Sequence, residues 1–206
     1  VLVLGGVIIG CAAAYELSKY NLNIAVIEKE YDIADDISFV NTAIVYDGSE
    51  TSNNDMSGLE YIGNILLEDL CSRFNVPFKR IGALRVVNDE NGVLKLKEMY
   101  DRTVKRGIDG ICLINGDEVK KIEPNINTDI KKGLYSKNVA IVAPYDLAIA
   151  YAEVASENGV NFRLEEEVLN IEKINKGFRV ITNRNKFTCK VVINTIADEI
   201  YINEKG

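Results

Sequence analysis

The residues best suited to chemistry lie near the start of the chain: Gly5, Gly6 and Gly10, followed by Glu28. Gly5 and Gly10 fill the outer positions of a G-x-G-x-x-G pattern whose middle glycine is replaced by Val7. In such a turn the glycines let the backbone approach a pyrophosphate, and the N–H groups and dipole at the start of the following helix favour its negative charge. Glu28 lies 18 residues beyond Gly10, where a carboxylate accepts hydrogen bonds from ribose hydroxyls. Ala14 is the small residue that lets the helix pack onto its sheet. Tight helix–strand packing alone also explains the glycines. Strand, glycines, helix and strand-end acid in this order nevertheless favour a bound dinucleotide, and Glu28 suits either NAD or FAD. Val7 is expected to weaken binding, because its methyls project toward the pyrophosphate space.

Other chemistries are bounded by composition. The 206 residues contain no histidine, so imidazole is not available as base or ligand. Cys11, Cys71, Cys112 and Cys189 are widely spaced and form no C-x-x-C pair, so neither a zinc site nor a disulfide framework is expected and free thiols in a reducing cytoplasm fit best. No metal site is expected. Glu165, Glu166 and Glu167 read as a solvated acidic edge, since alternation on a strand turns neighbours to opposite faces. A net charge of −7, with Lys120, Lys121, Lys131 and Lys132 scattered, argues against nucleic acid and leaves a small molecule as the expected partner. No apolar run reaches the roughly 20 residues of a membrane span. The chain opens at Val1 inside an apparent strand, without initiator methionine or signal peptide, so it is expected to be a fragment.

Positioning these residues requires a β-α-β unit: a strand at 1–4, a helix at 8–20 closed by a left-handed Asn21, and a strand at 23–28. Residues 31–54 read as loop apart from a short run at 43–46. Apolar spacing through Leu59, Ile62, Ile65, Leu66 and Leu70 predicts a helix over 58–74. A strand at 81–87, a helix at 91–105, a strand at 111–114, a short helix at 117–122 and a strand at 133–135 make an α+β insertion. From 144 to 158 a helix capped by Gly159 returns, followed by a strand at 161–164, a meander at 168–173, 178–182 and 186–189, and a last buried strand at 191–194.

With residues 1–6 and 26–30, the segments 38–45, 76–84, 118–124, 141–147 and 157–162 resemble, in order and spacing, the D-amino-acid oxidase and glycerol-3-phosphate dehydrogenase superfamily of flavoproteins, closest to its L-2-hydroxyglutarate oxidase-like branch. The resemblance spans nearly the whole chain. It implies FAD as cofactor, held by Gly5, Gly6, Gly10, Glu28 and Lys29, with Ser38, Asn41 and Thr42 along the diphosphate and isoalloxazine side and Val168 meeting adenine through its backbone. It also implies hydride transfer from a C–H bearing a hydroxyl or amine to the flavin. Two places depart from the family. Tyr46 stands where the branch usually has a histidine, and residues 194–200 resemble an Asn-Ala-Ala-Gly stretch without its glycine.

The reading is a Rossmann-like α/β FAD-binding domain at 1–57 and 140–206, with an inserted, incomplete α+β substrate domain at 58–139. As function it implies part of an FAD-dependent oxidoreductase of a small hydroxy acid or glycerol 3-phosphate, completed by a companion chain, with catalytic residues unassigned. Its rival is a degenerate, non-catalytic remnant or binding module of the same family.

Overall fold

The computed structural model describes residues 1–35, 41–126, 129–196 and the backbone of 202–203. Contacts divide the chain into two compact units, Val1–Thr42 with Pro144–Gly206, and Ala43–Ala143.

The first unit is built on a parallel sheet. Strand β1 (Leu2–Leu4) lies between β2 (Ala25–Ile27) and β13 (Val192–Asn194), and β9 (Asn161–Arg163) extends the far edge of β2. Helix α1 (Ile8–Ser18) provides the crossover from β1 to β2, as a right-handed β-α-β unit requires. It packs beside α5 (Pro144–Glu157), with the Tyr15 and Tyr151 ring centroids 5.3 Å apart. The meander is a second sheet, ordered β12 (Lys186–Cys189), β11 (Gly177–Thr182), β10 (Val168–Ile174) and β14 (Ile202–Asn203). Leu2, Leu4 and Ile27 pack against Ile171 and Val180 of the meander. Alternation turns Val3 and Val26, both fully buried, to the opposite face of the parallel sheet. Burying each such side chain contributes about 1.5–3 kcal/mol.

Several local signals act as the sequence predicts. Gly159, at φ +92°, follows α5, and the strands at 168–173, 178–182 and 186–189 pair antiparallel. The expected left-handed Asn21 is not found: α1 ends at Ser18, Lys19 is right-handed with φ −72°, and the chain turns through Tyr20 N–H donating to Leu17 O. The acidic edge at 165–167 is also corrected. Glu165 and Glu167 are exposed in the connection before β10, but Glu166 is buried, accepting from Arg163 Nε at 2.6 Å, Thr182 Oγ1 at 2.6 Å and Asn185 Nδ2 at 2.9 Å. Glu165, at φ +51°, makes the turn that sends its neighbour inward.

The second unit holds two antiparallel sheets. In one, β8 (Ala140–Val142) lies between β3 (Ile44–Val45) and β4 (Phe78–Arg80); in the other, β7 (Lys132–Ser136) lies between β5 (Ala83–Val87) and β6 (Ile111–Asn115). The predicted strand at 81–87 is found as β5, which starts at Ala83; β4, which the sequence analysis did not mark, precedes it in the other sheet, and the two are separated at Gly82, whose φ of +70° disfavours a side chain. Helix α3 (Glu90–Lys105), capped by Asp89, places Leu96 and Met99 on Leu134. Asn115 and Glu118 form a capping box on α4 (Gly116–Ile122).

Helix α2 (Asn54–Phe74) starts earlier than its apolar spacing indicates. Asn53 Oδ1 accepts from the N–H groups of Asp55 and Met56, and a left-handed Asn75 ends the helix. Residues 43–57 belong with this unit, not with the first: β3 pairs with β8, Asp47 accepts from Ser136 Oγ, and Ser57 Oγ donates to Gly48 O at 2.6 Å.

Candidate dinucleotide-binding site

The site grows from the end of β1. Gly5 adopts φ +100°, a conformation that L side chains rarely take, and its N–H donates to Ile27 O at 2.8 Å. This bends the chain into α1. A Cβ on Gly10 would stand 1.9 Å from Gly5 O and 2.8 Å from Thr195 Oγ1, so the helix approaches the turn this closely only because residue 10 is glycine. On Gly6 an added Cβ would stand 3.1 Å from the Glu28 side chain.

Val7 is the residue before α1. Its backbone is extended, with φ −80° and ψ 176°, a region open to any residue, so the fold itself does not require glycine there. Val7 supplies no side-chain cap, and the first turn of α1 contains no acidic residue. The positive end of the helix dipole is therefore not neutralised from within its first turn, which suits an anion.

Glu28 closes β2 beside this turn. Its Oε2 accepts from Gly6 N–H at 2.5 Å and its Oε1 from Glu30 N–H at 3.0 Å, with the side chain largely buried. The segment before β10 runs alongside: Glu166 N–H donates to Glu28 O, and Glu165 N–H to Glu30 O, both at 2.8 Å. Burial first, and then the Glu28 charge, push the Cys11 thiol up to about 12. Cys11 is therefore a neutral packing residue that donates to Gly6 O at 3.2 Å.

Gly10 thus packs on Gly5, and Gly6 on Glu28, whereas the structure does not bring the other predicted residues into this contact. Lys29 is exposed, with Nζ 3.8 Å from Glu30. Val168 opens β10 opposite Thr182, partly buried against the core at a register shift. Asn41 and Thr42 lie exposed just before β3, and Ser38 lies outside the described residues. The positions 197–200 are likewise outside them.

Two further residues shape the turn. Thr195 Oγ1 donates to Leu4 O at 2.7 Å, and Ala34, left-handed at φ +62°, donates its N–H to Gly6 O at 3.0 Å. Ala34 carries no sequence signal, because its backbone N–H meets only a backbone carbonyl; Thr195 lies in the 194–200 stretch that resembles the family, but nothing in that resemblance assigns its hydroxyl to Leu4 O.

In the second unit, Tyr46 follows β3 and is 40% exposed, with its carbonyl accepting from Asn64 Nδ2 at 3.2 Å. Asp47 is fully buried and accepts from Ser49 Oγ at 2.6 Å as well as from Ser136. Burial, then the charge of Asp47, raise the Glu60 carboxyl, while Arg106 opposes them. Among the described residues, no group of three or more His, Cys, Asp or Glu is placed to hold a metal ion, and no helix is long and apolar enough to cross a membrane.

Comparison with known proteins agrees with this arrangement. The family model for FAD dependent oxidoreductases matches residues 1–197. Glycerol 3-phosphate dehydrogenase of Caloramator mitchellensis is 39% identical over 94% of this chain, which covers 41% of that protein. The mitochondrial L-2-hydroxyglutarate dehydrogenase of Pongo abelii is 28% identical over 79% of this chain and 38% of its own length. Among solved structures, the dithionite-reduced L-alpha-glycerophosphate oxidase of Mycoplasma pneumoniae with FAD bound superposes with a TM-score of 0.81 at 27% identity, over 94% of this chain and 51% of that one. The chain thus spans about half the length of these relatives, or somewhat less. With its glycine turn, strand-end carboxylate and parallel sheet, this chain belongs to the family of FAD-dependent oxidoreductases.

Proposed function

We propose that this chain is the flavin-holding part of an oxidoreductase that oxidises a small hydroxy acid or glycerol 3-phosphate. The observation that carries this reading is the convergence of Gly5, Gly6, Gly10 and Glu28 at the uncapped start of α1, all within one compact unit. The glycine backbones leave room for the pyrophosphate, the N-terminal end of α1 offsets its charge, and Glu28 accepts from the ribose hydroxyls while it holds Gly6. Val168 offers its backbone to adenine. Lys29 stands beside the ribose acid, and the family resemblance assigns Ser38, Asn41 and Thr42 to the diphosphate and isoalloxazine side. FAD, when bound, supplies the hydride acceptor. The glycerol 3-phosphate and L-2-hydroxyglutarate enzymes among the relatives favour a small hydroxylated anion as substrate.

Turnover needs more than these residues. The chain contains no imidazole, and the relatives are about twice as long. The remaining part of the site is supplied by further polypeptide, either in the same chain or in a companion chain. Four free thiols suit a reducing compartment such as the cytoplasm.

A second reading, a non-catalytic relative, is favoured by Val7 at the start of α1 and by Tyr46 in place of the family's histidine. Absorbance from 300 to 550 nm, after FAD is added and excess removed, separates the two. A retained flavin band is expected, and Val7→Gly is expected to tighten binding by removing methyls from the phosphate side. No band from folded wild type and from Val7→Gly alike would overturn the flavoprotein reading.

A further inference from the structure

Helix α2 buries the wrong face for its sequence. Its inward positions are Ser57, Asn64 and Cys71, seven residues apart, while four of the five apolar residues that define its helical spacing point outward and Leu70 is half-buried. Leu59 is 67% exposed, Ile62 55%, Ile65 53% and Leu66 56%. A helix with one solvated face carries polar residues there, and one that is apolar on its outer side is built to be covered. Gly58 and Gly63 strengthen the point. A Cβ on either would meet nothing within 4 Å, so nothing in this chain requires glycine there, although each glycine costs a helix interior about 1 kcal/mol. Both leave room for another backbone to come close.

We infer that the outer face of α2 is the docking surface for the part of the fold that the longer relatives carry outside the region matched here. This rests on the reading that further polypeptide completes the enzyme. The length of that uncovered part, about half of the glycerophosphate oxidase structure, is ample to cover a 21-residue helix. The neighbouring three-stranded sheet has a second uncovered apolar pair, Ile44 beside Ile141, 40% and 37% exposed. A lipid surface fits poorly, because residues 54–72 contain no lysine or arginine. A second copy fits less well than a distinct partner, since pairing α2 with itself would set Asp55 opposite Asp55 or opposite the Glu68 end.

The test mixes the 206-residue chain with the part of the Caloramator mitchellensis glycerol 3-phosphate dehydrogenase outside the match, used only once circular dichroism and a cooperative thermal transition show it folded, and reads mass by light scattering and affinity by titration. Two variants are compared with wild type: Leu59→Glu/Ile62→Glu/Leu66→Glu, and the milder Leu59→Ser/Leu66→Ser. All the altered side chains are exposed, so both variants are expected to keep the wild-type circular dichroism and flavin affinity. The expected result is a one-to-one complex with wild type that both variants weaken at least tenfold. No complex, or a complex that the variants leave unchanged, overturns the inference. So does a homodimer of the chain alone that the variants dissolve, or binding to phosphatidylcholine–phosphatidylglycerol vesicles that they abolish. Flavin retention is read on the same samples: its loss in wild type refutes the flavin reading, whereas flavin retained without docking refutes only the surface.

Discussion

Gly10 is where the fold depends on a missing atom, at the position proposed to meet the ligand. Alanine is ordinarily the better helix former by about 1 kcal/mol, but at this position its Cβ would stand 1.9 Å from Gly5 O. Steric conflict of that size forces backbone movement and costs about 1–3 kcal/mol. Gly10→Ala is therefore expected to lower the melting temperature and to abolish flavin retention together, checked by thermal unfolding with and without FAD. Glu166 makes a different prediction. Burial raises its carboxyl, but the hydrogen bonds from Thr182, Arg163 and Asn185 and the Arg163 charge outweigh burial, leaving it below the usual range. A carboxyl that is more acidic folded than unfolded contributes stability above its unfolded pKa, about 4.3, and that stability is lost as pH falls through the lower folded value. Denaturant titrations of wild type against Glu166→Gln are expected to converge as the pH is lowered below about 4.

At the scale of elements, Asn64 ties α2 to its sheet. Its Nδ2 lies 3.0–3.3 Å from the carbonyls of Val45, Tyr46 and Asn138, and its Oδ1 accepts from Arg80 Nη1 at 2.8 Å. Asn64→Ala strands buried acceptors and is expected to destabilise the chain by about 1–3 kcal/mol, measured by denaturant unfolding. The β-α-β opening and the meander were legible because their signals are local: short β-branched runs, turn residues, and a helix between strands. Strand β8 was not legible, since three residues at 140–142 become a central strand only through β3 and β4, distant in sequence. The packing face of α2 was misleading because apolar spacing identifies a helix without naming which side meets this chain. The acidic run at 165–167 misled for a related reason: neighbours do face opposite ways, but the middle carboxylate, Glu166, turns inward to Arg163, Thr182 and Asn185, partners that a run of three acids does not announce. At the site, Gly5, Gly10 and Glu28 were legible as a motif, while Ala34 serves it through a backbone N–H alone and Thr195 through a hydroxyl that meets only backbone oxygens.

For the whole molecule, two units have separate cores. The cluster of Leu2, Leu4, Ile27, Ile171 and Val180 supports the glycine turn, and that of Leu96, Met99 and Leu134 supports the inserted unit. FAD bound by the glycine turn is expected to stabilise the first unit selectively, by about 2.7 kcal/mol at a hundred times its dissociation constant. Hydrogen exchange resolved by peptide checks this: protection should rise in β1, α1, β2 and β9 with little change in α3 and β5–β7. Equal protection throughout both units would instead mean that they unfold as one. The inserted unit also begins and ends on one ladder, with Ile44 opposite Ile141, Val45 opposite Ala140, and Val142 N–H donating to Ala43 O at 3.0 Å. Its two crossing points are thus held side by side like the legs of a staple. Such a stem makes the unit a replaceable cassette: a tight turn joining residue 42 to residue 144, or a foreign module on the same two-strand base, can be grafted there without asking the flavin scaffold to span a new distance.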